Sequence, residues 1–346
     1  MNGVGKVGLV GIAIVFMGAL SFGVTQSHAV DEPVSLEALL ALGVPLDDAV
    51  VDALEALVEE EAALARTVAD PSSTALQRVA AERAVRRAVE TVEVARVTAE
   101  HALTEKVLAL LEAWDARDAA REDLAILEAR WEATVARFEA GAVTALDVTD
   151  AENAVAAAAR TLANREEAAA RAEQDVASGV GQRVTQVARV ELDDLPDVPA
   201  RENVTAEALA VSQRVRTAVD AVAAAEEALA ALRHALSARV DVEDAEATLE
   251  AAKRNVVRVE DSVTMRVRNA YETLIAAERT LASREEALRV SLERMEGQRS
   301  RFDAGTISAL ALRESEASHV DARIQRDAAL HDVWIAHAAL RVAMVE

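Results

Sequence analysis

Residues 137–148 read RFEAGAVTALDV and residues 301–312 read RFDAGTISALAL, so one phrase occurs twice at an offset of 164 residues. A repeat at fixed offset constrains the fold more than any composition can, because two similar stretches of chain must find two similar units. Arg, Phe, Ala, Gly, Ala and Leu return in place, while Glu/Asp, Val/Ile and Thr/Ser exchange conservatively. The local physics is readable. A helical pattern runs into Phe138, and Gly141 follows where a helix C-terminus wants a residue that tolerates positive φ. Thr144 suits the N-cap of the next helix, with Asp147 three residues on as in a capping box. Gly305 and Ser308 repeat the arrangement, with Ala311 in place of the acid. Each phrase predicts a tight helix reversal. A bare turn accounts for the glycine and the cap, but not for the recurrence of Arg137-Phe138 as Arg301-Phe302.

Gly and Pro punctuate the rest cleanly. Residues 72–140 contain neither, and nor do residues 200–296. Apolar residues in the first run recur at steps of three and four (Leu103, Val107, Leu110, Trp114, then Leu124, Leu127, Trp131, Val135, Phe138). The second shows Val256, Val259, Val263, Val267, Ala270, Leu274, Ala277 and Leu281. These are coiled-coil seams, and no stretch alternates as a strand would. A helix over 75–138 is expected to be roughly 95 Å long, flanked by shorter ones over 46–69 and 146–178. Asp70-Pro71-Ser72-Ser73-Thr74 separates the first pair. The offset carries that turn onto 234–238, which predicts a break near Ser237 and a second long helix starting around 243 with Asp241 as N-cap. Gly179, Gly181, Pro196, Pro199 and the acidic run 191–194 predict a linker over 179–203, partly extended over the surface. The domain reading is a signal peptide at 1–29, a first helical repeat at 30–178, the linker, and a second helical repeat at 204–346.

The doubled phrase, with an Ala-rich helix after each copy, resembles the TolC-like outer-membrane efflux proteins, in which two similar halves each carry a long helix reversing at such a turn. The resemblance covers residues 45–346 and implies an all-α body of long antiparallel coiled coils in two tandem pseudo-repeats. It also implies a homotrimer, and a tip at the reversals that docks on the adaptor (membrane fusion protein) of an inner-membrane pump. The tip residues are then Arg137, Phe138, Gly141, Thr144, Asp147, Arg301, Phe302, Gly305 and Ser308, with Asp147 and Glu314 as acids of a tip gate. Ala311 departs from the family pattern at the gate. A larger departure is that the family inserts a β-hairpin in each half before the long helix, and three chains close these into a membrane barrel. A spanning hairpin needs more than about 20 residues, and the turns at 70–74 and 237–241 are far too short. The expectation is the helical duct without its own barrel.

Lys6, an apolar stretch from Val7 to Val24, and Ser27-His28-Ala29 read as an export signal cleaved after Ala29, or else as an uncleaved anchor. The chain has no Cys, so neither a lipid-modified cysteine nor a disulfide is available. Without residues 1–29 it carries 36 basic and 60 acidic residues, net −24, which sets nucleic acid aside as a partner. The place expected is the periplasm or cell envelope, associated with the outer membrane as the family resemblance implies but without its own barrel, with membrane association through partners or the uncleaved segment.

No catalytic or cofactor pattern emerges. GVGKVG at 3–8 fits a dinucleotide fingerprint only literally, since it lies in the signal segment and follows no strand. The six histidines form no i,i+4 pair, so no metal is expected, and the carboxylates read as solvated helix faces paired with Arg. The aromatic residues Trp114, Trp131, Phe138, Tyr271, Phe302 and Trp334 are expected to fill helix seams. A non-enzymatic exit duct for efflux or secretion is the leading reading. A structural coiled-coil spacer or tether of the envelope stays open beside it.

Overall fold

The computed structural model describes residues 33–191, 194, 200–234 and 238–346. The signal segment, its cleavage site, Pro196, Pro199 and Ser237 lie outside these residues.

Eight α-helices are present among the described residues. Helices α1 (Leu36–Gly43), α2 (Asp48–Ala69), α3 (Ala75–Glu139) and α4 (Ala145–Val180) form the first repeat; α5 (Arg201–Val211), α6 (Gln213–His234), α7 (Arg239–Asp303) and α8 (Ala309–Val345) form the second. The long helices α3 and α7 start at 75 and 239 and end at 139 and 303, so both their bounds differ by the same 164 residues as the doubled phrase. At 65 residues each, they are about 98 Å long. No strand occurs among the described residues; one isolated parallel bridge joins Val34 and Val187.

Local chemistry sets the helix ends. Thr74 closes a full capping box: its hydroxyl accepts the Gln77 N–H at 3.2 Å, and Gln77 Oε1 accepts the Thr74 N–H at 2.7 Å. In the turn before it, Asp70 Oδ1 accepts the Ser72 N–H at 2.8 Å, an Asx turn. Only residues 70–74 separate α2 from α3, and 235–238 separate α6 from α7, so neither break has room for a membrane hairpin.

Four expectations are corrected. The chain before 46 is also helical: α1 is capped by Ser35, and Leu36 and Leu39 sink into the core. The short rod of the second half breaks at Ser212, where the backbone is extended (φ −57°, ψ 125°). By the offset, Ser212 corresponds to Asp48, just past the break after Pro45. Helix α7 begins at Arg239 rather than 243; Asp241 lies in its first turn, and Ala238 occupies the N-cap without a side-chain bond. An acid there still favours the helix N-terminus, but through the dipole rather than a cap. The linker, finally, is not a surface strap in its first half. Helix α4 runs through Gly179 to Val180 and ends at the left-handed Gly181 (φ +70°), after which Val184, Val187 and Val190 are buried.

The packing places α3 against α2 and α4 end to end, α7 against α6 and α8, and α3 against α8. Toward the reversals the rods therefore run α4–α3–α8–α7, and toward the other end α2–α3–α6–α7. The main core sits at the waist between these halves. Leu39, Val107, Leu108, Leu110, Val176, Val204, Val263, Val267, Leu274 and Leu330 are all within 2% of full burial there. Gly43 permits the approach of α1: a Cβ on it would lie 2.5 Å from Leu103 Cδ2 and 2.8 Å from the Gly179 carbonyl.

Polar groups pin the waist. Arg189 of the linker donates to Asp115 of α3 at 2.5 and 3.2 Å and to Asp327 of α8 at 2.7 Å. Both carboxylates belong to buried residues, 8% exposed; the strap between the repeats gives them a shared cation, and Asp327 also accepts from Arg326 at 3.0 Å. Helix α8 holds the one stretch among the described residues apolar and long enough to cross a membrane by composition. That apolarity is used in packing, since Leu330, Val333, Ala336, Leu340 and Ala343 are buried.

Candidate docking tip

Both doubled phrases fold the same way. In the first, the Gly141 N–H donates to the Phe138 carbonyl at 2.8 Å and the Ala142 N–H to the Arg137 carbonyl at 2.8 Å. In the second, Gly305 N–H donates to Phe302 at 2.8 Å and Thr306 N–H to Arg301 at 2.9 Å. This 5→2 and 6→1 pair is a Schellman motif, and it requires the left-handed glycine. Gly141 and Gly305 supply it with φ of +73° and +69°. The next helix starts at once. Thr144 accepts the Asp147 N–H at 3.3 Å and Asp147 Oδ2 accepts the Thr144 N–H at 2.7 Å, a complete capping box. Ser308 accepts the Ala311 N–H at 3.2 Å, and Ala311 has nothing to return.

Backbone geometry thus accounts for the glycines and the hydroxyl caps. It uses only the carbonyls of Arg137, Phe138, Arg301 and Phe302, and does not account for their side chains. Phe138 and Phe302 are 44% and 37% exposed, so the expectation that they fill seams is overturned, as it is for Trp131 at 36%. It holds for Trp114, Tyr271 and Trp334, which pack against the main core. Leu146, the second residue of α4, adds a further apolar side chain at 68% exposure. The turn thus shows a phenylalanine to solvent in both repeats.

The two acids read as a gate are both engaged inside the chain. Asp147 is held below the ordinary carboxylate range, first by the Thr144 hydroxyl and then by its N–H. Glu314 accepts from Arg130 Nε at 2.8 Å, tying α8 to α3. They also stand at different heights. The register mate of Glu314 is Asp150, not Asp147, one turn further up α4, and the 164-residue offset alone could have found it. Above the tip a groove of about 550 Å³ lies between α4 and α8 with α3 as its floor, lined by small residues such as Ala154, Ala157, Ala158, Ala317 and Ser318. Asp321 in that groove is pushed up by burial and by the neighbouring Asp123. No group of metal-ligating side chains occurs among the described residues.

No protein-family model and no curated protein matches the sequence. Solved structures do match in fold. A structure of CusC, described for its folding and transmembrane channel formation, aligns with a TM-score of 0.65 over 89% of this chain and 95% of that one, at 14% identity. The CmeC outer-membrane channel of Campylobacter jejuni gives 0.64 over 89% and 85%, at 10% identity. The outer-membrane channel OprN gives 0.63 over 89% of both chains, at 16% identity. The fold is that of the helical part of TolC-like channels. At these identities the likeness concerns fold, and the resemblance read from the doubled phrase holds at that level, without a barrel among the described residues.

Proposed function

We propose that the protein is an exported, non-enzymatic subunit of a helical exit duct, in which three copies close laterally into a tube. Its tip docks on the adaptor of an inner-membrane pump, and substrate passes through the bore while the pump supplies the energy. Arg137, Phe138, Arg301 and Phe302 form the docking surface, and Gly141, Thr144, Asp147, Gly305 and Ser308 hold its shape. Asp147 serves the tip as a cap, and Glu314 as the α3–α8 tie that sets its width.

The observation that carries this reading is an open second seam on α2. One face of α2 buries Val50 and Ala53 against the body; the next face leaves Val51, Leu54, Val58 and Val68 at 38, 44, 64 and 55% exposure. Val51, Leu54 and Val58 are spaced by three and four, the repeat of a helix with a second partner, and Val68 lies ten residues further on. Helix α2 is one edge of the rod layer and α7 the other, and α7 exposes Val257 at 58% and Met265 at 55%. An edge pairing with the opposite edge of the next copy is a heterologous contact, which closes into a ring when the rotation allows.

Light scattering of the purified protein at up to roughly 100 µM tests this, a range in which mass action favours assembly. A mass three times that of the chain is expected, falling to one chain in Val51→Glu/Leu54→Glu. A strict monomer in the parent overturns the duct, because one chain cannot enclose a bore. The short turn at 70–74 would then favour the tether, a rod that spans the envelope without conducting.

A further inference from the structure

The end opposite the tip has a surface of its own. Leu76 is the second residue of α3 and Val240 the second residue of α7; they are register mates, 51% and 63% exposed. The two helix starts lie at the same end, with the last turns of α6 between them. Arg83 of α3 makes a bidentate contact with Glu227 of α6, at 2.6 and 3.0 Å, and Arg233 of α6 reaches Glu246 of α7 at 2.6 Å. The outermost helical turns carry Arg66, Arg78, Arg233 and Arg239, all exposed, against Asp70 and Asp241, in a chain whose net charge is −23. Glu243 and Glu246 lie deeper along α7 and hold two of these arginines.

The arginines are only partly used. Arg78 spends its Nε on Ser73 Oγ at 2.9 Å, and Arg239 spends its Nε on Glu243 at 2.6 Å. Among the described residues neither has a partner on its paired terminal amino groups, the edge of a guanidinium that grips a phosphate bidentately. Arg239 has a side-chain exposure of 90%. Exposed apolar side chains at the end of the rods, with exposed arginines beside them, match a bilayer interface. There the apolar groups enter the headgroup boundary and the cations meet anionic lipid.

We propose that this end seats peripherally on an anionic phospholipid surface through Leu76, Val240, Arg78 and Arg239. The contact involves no spanning segment. It is independent of the duct reading, which stands or falls on the trimer.

The chain has no cysteine, so a single one can be labelled site-specifically. Full-length Ser72→Cys, in the turn at this end, and Ala142→Cys, in the turn at the tip, are labelled with an environment-sensitive fluorophore. Each is mixed with vesicles of phosphatidylcholine alone or with one-third phosphatidylglycerol, both containing brominated acyl chains. The expected result is a blue shift and at least twofold quenching at position 72 with phosphatidylglycerol, weak quenching without it, and none at 142. Leu76→Glu/Val240→Glu should abolish the signal, and Arg78→Gln/Arg239→Gln should remove the preference for phosphatidylglycerol. The apolar N-terminal segment is common to every variant and cannot produce these differences. Absence of quenching at 72, equal quenching at 142, indifference to phosphatidylglycerol, or an unchanged signal in either double variant overturns the proposal. Circular dichroism confirms that each variant keeps its helices.

Discussion

Replacing Gly141 by valine isolates what the doubled turn does. The residue sits at φ +73°, and a Cβ there would meet no atom within 4 Å. The cost therefore contains no packing clash, only the intrinsic penalty of a left-handed side chain, about 1–2 kcal/mol. An upper bound follows from the alternative. If the strained turn opens, it gives up two solvent-accessible hydrogen bonds at about 1 kcal/mol each, so the loss stays near 2 kcal/mol by either route. Gly305→Val at φ +69° should cost the same, because its surroundings are equally open. The turns share no hydrogen bond, and the double variant should lose about 2–4 kcal/mol. Gly141→Asn, which tolerates the left-handed region, should lie close to the parent. Urea unfolding followed by circular dichroism measures the stability, and hydrogen exchange at Ala142 reads the opening of the turn directly. Substrate export in cells carrying each variant measures docking, which should fall while helicity is kept. A single-site loss above about 4 kcal/mol would mean the turn supports more than itself. No loss in either variant would refute the positive-φ argument, and unchanged export in all three would reduce the doubled phrase to a turn.

Phe138→Ala and Phe302→Ala remove exposed rings and should change stability by no more than about 0.5 kcal/mol while weakening adaptor binding, read by a pull-down or by export. Arg189→Met leaves the buried Asp115 without its cation while Asp327 keeps Arg326; because Arg189 is itself half exposed, the loss is about 2–3 kcal/mol rather than the full 3–5 of a buried pair, measured by urea titration. Asp321→Asn should stabilise the fold at neutral pH. Its folded pKa is raised above the unfolded value, so the aspartate favours folding in acid and loses that advantage as pH rises through the folded pKa; the gain over the parent should vanish below about pH 4.

The sequence by itself determined the plan of the molecule wherever the signal was local. The long helices, their reversals and the Asp70 turn are written in runs without Gly or Pro, in left-handed glycines, and in hydroxyl caps, and each acts through a few neighbouring residues. The 164-residue offset extended that reading to the second half and put a boundary between two helices there, although α7 starts at Arg239 rather than 243 and Asp241 was misread as its cap. Only the tertiary structure decided how the waist is built. Ser35, Leu36 and Leu39 carry an ordinary cap and spacing, but whether so short a helix forms depends on the core that receives it. Arg189 was one arginine among many until the linker was seen to cross between Asp115 and Asp327. The linker's three valines gave no period, since a short extended segment is buried by what lies on either side of it rather than by its own pattern. At the tip the sequence supplied the residues, and the structure separated those that make the turn from those the turn presents. That distinction rests on solvent exposure, a property of the assembled rods that no single helix encodes.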